Sequence, residues 1–77
     1  MNFGQAIEAM KNGYHVARKG WNGKGMYIWI VEGRFLQSNG HLPYQDSICM
    51  KTALNTVCVG WLASQADMLA EDWEVVE

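Results

Sequence analysis

The sequence predicts an α+β domain: a small antiparallel sheet of four to six strands, with an N-terminal helix and a short helix before the last strand. Three observations predict it. Phe3, Ala6, Ile7 and Met10 repeat at helical spacing near the start of the chain. Met26 to Glu32 alternates as a strand does, with both of its faces apolar. Ser64 and Asp67 form an S-x-x-D capping pair, and they follow closely on the β-type run Thr56-Val57-Cys58-Val59.

The elements follow in order. Asn2 caps a first helix over residues 3 to 12, with Gln5 completing a capping box and Gly13 placed for a left-handed stop. His15 to Arg18 is a short strand, and Lys19 to Gly25 is a loop with three glycines and an Asn22-Gly23 turn pair. In the strand from Met26 to Glu32, Met26, Ile28 and Ile30 take one face, and Tyr27, Trp29 and Val31 the other. A strand apolar on both faces is covered on both. Two small helices cover one side at best, so Tyr27, Trp29 and Val31 are expected to meet another subunit. Arg34-Phe35-Leu36 reads as a short strand, Ser38-Asn39-Gly40 as a turn, and His41 to Tyr44 as an irregular excursion. Ile48 to Thr52 and Thr56 to Val59 pair around Leu54-Asn55. Ala66, Leu69, Ala70 and Trp73 make the apolar side of the second helical turn, and Trp73 to Val76 is the last strand.

Seventy-seven residues make one domain, residues 1–77. A chain this short buries only about 60% of its unfolded surface. With 49% hydrophobic residues, four of them Trp, some apolar surface is left to cover a partner, and self-association is the simplest one. The net charge of −2 argues against general DNA, RNA or acidic-membrane binding. Its distribution is uneven: residues 1 to 34 carry five of the six cations, while residues 67 to 77 hold five acidic residues and no cation. Cys49 and Cys58 have no second pair for a zinc site and read as buried free thiols of a reducing cytosol. No run approaches the roughly 20 apolar residues of a membrane span, and no signal peptide is expected.

Catalytic chemistry finds little support. His15 and His41 lack metal-ligand spacing, Ser64 has no nucleophile-elbow context, and a helix cap explains it more simply. Gly20-x-x-Gly23-x-Gly25 leads into a strand and lacks the Walker lysine–serine pair. Neither cofactor nor metal is expected. Binding chemistry is better represented. Trp21 sits in a flexible loop among Arg18, Lys19 and Lys24, where an indole face meets a base and cations meet phosphates. Trp21 is either that face or a core plug. Trp61 is either the opposite stacking wall or core, and Ser64-Gln65 opens a helix whose N–H groups suit an anion.

Three segments carry a family resemblance: Met1 to Met10, Val16 to Met26 (Val-Ala-Arg-Lys-Gly-Trp-Asn-Gly-Lys-Gly-Met) and Asp67 to Glu74 (Asp-Met-Leu-Ala-Glu-Asp-Trp-Glu). Trp61 to Gln65 and Met50-Lys51-Thr52 match as well. The chain resembles a phage and prophage family, long known only as a domain of unknown function, whose members include the second type of Thoeris anti-defence protein. It departs from the pattern in residues 33 to 47 and at Leu54-Asn55. The resemblance implies a non-enzymatic sponge in the cytoplasm of an infected bacterium. It would withhold a glycocyclic ADP-ribose signal made from NAD. The resemblance also implies a homotetramer with pockets between subunits, and in some members a separate site for cyclic di- or trinucleotides. By motif position, the pocket falls on Trp21, Asn22 and Lys24 in the loop, beside Arg18, and on Trp61, Ser64, Gln65 and Asp67 at the cap.

Overall fold

The computed structural model of the chain describes residues 1–21, 25–36 and 40–76. Helix α1 spans Phe3–Lys11. Its capping box is complete: Asn2 Oδ1 accepts the Gln5 N–H at 2.8 Å, and Gln5 Oε1 accepts the Asn2 N–H at 2.9 Å. The helix stops one residue short of the expected end, because Asn12 leaves helical backbone angles while its N–H still bonds back to the last turn. Gly13 follows in the left-handed region, at φ 91°.

Among the described residues, five strands form one antiparallel sheet: β1 (Val16–Arg18), β2 (Tyr27–Val31), β3 (Ser47–Lys51), β4 (Val57–Val59) and β5 (Trp73–Val75). Their spatial order is β4-β3-β2-β1-β5. Helix α2 is Gln65–Leu69. It contacts α1, which in turn packs on β1, β2 and β5, so both helices cover the same face of the sheet. The register sets Val16, Ile28 and Met50 side by side across the three central strands. With Ala6, Met10 and Trp73 they form the buried core beneath α1. Alternation then sends Tyr27, Trp29 and Val31 to the opposite face, beside Cys49 and Val59.

Some expectations need correction. Arg34-Phe35-Leu36 is not a strand; Gly33–Phe35 is a 3₁₀ turn. Gly33 lies against the Tyr44–Gln45 backbone with no room for a Cβ, and its N–H donates to Asp46 Oδ1 at 2.9 Å. Those contacts hold the chain in a local turn. Gly40 does occupy a turn, while Ser38 and Asn39 lie outside the described residues. Helix α2 ends four residues before Trp73, which belongs to β5. The expected apolar stripe therefore fails at Leu69, which is 81% exposed. Cys49 is buried but Cys58 is exposed, because β4 is an edge strand. The β3–β4 turn places Asn55 at φ 61°, a conformation asparagine tolerates better than most residues.

Candidate functional site

Strand β1 runs directly into a 3₁₀ turn, Lys19–Trp21, that the chain's acidic end holds in place. The Lys19 N–H donates to the Asp72 carbonyl and the Gly20 N–H to Asp72 Oδ2, each at 3.0 Å. A Cβ at Gly20 would sit 3.1 Å from that same oxygen, so glycine allows the close approach. Arg18 ties α2 to the segment that follows it: its Nη1 donates to Asp67 Oδ1 at 3.0 Å and its Nε to Asp72 Oδ1 at 2.9 Å. Asp67 is also the capping carboxylate of α2, accepting from the Ser64 N–H and hydroxyl at 3.0 and 2.8 Å.

These contacts favour the charged form of each group. Hydrogen bonds to Asp72 and then Asp67 raise the Arg18 pKa further above its ordinary value. The Arg18 guanidinium, helped by the Gly20 N–H, holds the Asp72 carboxyl below the usual range. Burial pushes Asp67 up, but the Ser64 donors and Arg18 outweigh it and leave its pKa lowered.

The turn delivers Trp21 to a cluster of three indoles. Trp21 meets Trp73 edge to face at 5.4 Å and Trp61 at 6.2 Å, while Trp61 and Trp73 are 6.4 Å apart. Trp73 is buried, and its Nε1 donates to the Asp67 carbonyl at 2.9 Å. Since Trp21 and Trp61 touch each other, no base stands between them in this arrangement.

Beside Trp21 a cavity of about 450 Å³ opens, lined among others by Ala17, Lys19, Tyr27, Lys51 and Glu74. The pairings Tyr27↔Lys51 and Ala17↔Glu74 place it on the face away from α1. Lys51 Nζ donates to the Gly25 carbonyl at 2.9 Å and lies 5.9 Å from the centre of the Tyr27 ring. Lys19 approaches Glu74 at 3.9 Å. A second cavity of about 460 Å³, between Lys11, Glu32 and Asp46 near the end of α1, contains none of the sequence-derived site residues. The first pairs two aromatic rings with lysines, and its chemistry suits a nucleotide better.

The structure thus brings the predicted residues together in two ways. Arg18 and Ser64 each bond to Asp67, and Trp21 packs on Trp61. Gln65 is exposed in the first turn of α2, and Asn22 and Lys24 lie outside the described residues. Lys51 was not among the sequence-derived candidates. Its position depends on the pairing of β2 with β3, which no local pattern reveals. Among the described residues, no cluster of three or more His, Cys, Asp or Glu is arranged to hold a metal ion, and no helix is long and apolar enough to cross a membrane.

Residues 1–76 match the Thoeris anti-defense 2-like domain. The chain is similar to Thoeris anti-defense 2 of Bacillus phage SP01, with 38% identity over 85 residues that cover 99% of this chain and 94% of that protein. A match over nearly the whole length, together with that degree of identity, means that the chain belongs to the Thoeris anti-defense 2-like family.

Proposed function

We propose that this protein counters Thoeris defence by binding a glycocyclic ADP-ribose signal and withholding it, without degrading it, in the cytoplasm of the infected bacterium. The observation that carries the reading is the cavity beside Trp21, where two aromatic rings and two lysines line one space. Family membership supports the anti-Thoeris role. The ligand would offer a base and ribose to the rings and phosphates to the lysines. Sub-micromolar capture needs about −8 kcal/mol. Stacking contributes about 1–3 kcal/mol per base contact, and a charge-assisted hydrogen bond about 1.5–3 kcal/mol, so a few such contacts suffice. Capture then works by mass action, lowering free signal below what the effector needs.

In this reading Trp21 touches ligand, with Asn22 and Lys24 of the same loop. Arg18, Ser64 and Asp67 hold the Trp21 turn, because their donors and acceptors already serve one another. The apolar face of Tyr27, Trp29 and Val31 is where copies of the chain associate, four in all if the family likeness extends to assembly. Because the cavity opens on that same face, a second copy would border it.

The test is to incubate the protein with glycocyclic ADP-ribose, remove free ligand, heat-denature the protein and analyse what is released. Intact signal, depleted from solution and recovered on heating, is the expected result. Altered signal would point instead to a cyclic-nucleotide-cleaving enzyme, and no depletion to a protein-interaction module. Cyclic di- and trinucleotides run in parallel test the second ligand class.

A further inference from the structure

We infer that Lys51 is a ligand-binding residue that meets the phosphate oxygens of a nucleotide seated in the cavity beside Trp21, an assignment that rests on the capture reading above. Lys51 ends β3 directly opposite Tyr27 at the start of β2. Its Nζ donates to the Gly25 carbonyl at 2.9 Å. An ammonium has three N–H donors, so two stay available to a ligand. Gly25 leaves space for this group: it adopts φ 71°, and a Cβ there would lie 3.2 Å from Lys51 Nζ.

Charge separates Lys51 from the other cations nearby. Arg18 is held between Asp67 and Asp72, a trio with one net negative charge. Lys19 faces Glu74, which cancels it. Lys51 makes no ion pair with any described carboxylate. Among the described residues it therefore supplies the cavity's uncompensated positive charge, on an ammonium that is exposed and so open to a ligand. The Tyr27 ring alongside gives an apolar surface for the sugar or base that follows the phosphate. A cation held beside a ring in this way fits a phosphate-bearing nucleotide and offers little to an uncharged nucleoside.

Calorimetric titration of glycocyclic ADP-ribose into the intact protein tests the assignment, with Lys51→Gln, Lys51→Met and Lys51→Arg compared at low and physiological salt. The expected result is a loss of about ten- to a hundredfold in affinity for the Gln and Met variants. Their salt dependence should also flatten, because the screened charge is gone. Lys51→Arg should keep most of the affinity and the salt response. Circular dichroism of each variant checks folding, and Met retains the apolar stem if Gln does not fold. If the folded neutral variants bind as the wild type does, or lose affinity with an unchanged salt response, the assignment of Lys51 is overturned while the capture reading stands. If the wild type itself binds no signal, the capture reading fails and takes the assignment with it.

Discussion

Asp72 accepts from three groups, Arg18 Nε, the Gly20 N–H and the Lys19 N–H, and so fixes where the Trp21 turn lies against β5. Its carboxylate and that of Asp67 share the Arg18 guanidinium. Both carboxyl pKa values are depressed in the fold, and an unfolded aspartate titrates near about 3.9. The sign follows from linkage: the unfolded chain takes up these protons first as pH falls. The stabilisation is complete above about pH 4 and is lost as pH drops through the lower folded values. Arg18 keeps its charge throughout. Thermal melts followed by circular dichroism should therefore show a midpoint that is flat with respect to these groups near neutrality and falls in acid. Asp72→Asn should start from a lower midpoint and fall less steeply, since one depressed carboxylate has been removed. Parallel acid limbs for the two proteins would show that the Arg18 clamp does not carry the acid sensitivity.

Among the elements, α2 depends most on its ends. Five residues are too few for a helix to persist on propensity, since the nucleation cost is never recovered by propagation. The reciprocal bonds between Ser64 and Asp67 and the packing of Trp73 beneath it hold it in place. Ser64→Ala should cost about 1 kcal/mol, the usual worth of such a cap, in urea unfolding followed by tryptophan fluorescence. An unchanged urea midpoint would mean that packing alone keeps the turn. This cap was legible in the sequence because its partners are three residues apart, and so was the Asn2–Gln5 box of α1. The two-faced strand was legible for the same reason, since period-2 alternation is local. Gly33–Phe35 was not, because its conformation is set by the Tyr44–Gln45 backbone that Gly33 packs against. The candidate site divides along the same line. The loop composition exposed Trp21 and its cations. The occupation of Arg18 by two aspartates, at separations of 49 and 54 residues, could emerge only from the fold, as could the arrival of Lys51 beside Gly25.

At the scale of the whole molecule, the sheet carries both helices on one face and leaves an aromatic surface on the other. His15 stacks on Tyr27 at 4.7 Å and meets Trp29 at 5.4 Å, and Val57 and Val59 on the edge strand stay more than half exposed. The buried Nδ1 of His15 has no hydrogen-bond partner among the described residues, whereas buried polar atoms are nearly always paired. A second copy laid over this face would cover the rings. It would also border the Lys51 cavity, whose Tyr27 ring belongs to the same surface. Trp29→Glu tests the association directly, because a carboxylate enclosed between apolar faces without a cation is expensive. Light scattering should show a smaller species than the wild-type protein, with the circular dichroism spectrum of the folded chain retained. Capture of glycocyclic ADP-ribose should weaken with it, as one wall of the cavity is lost. A folded Trp29→Glu protein with the wild-type mass would place the contact between copies elsewhere than on this face.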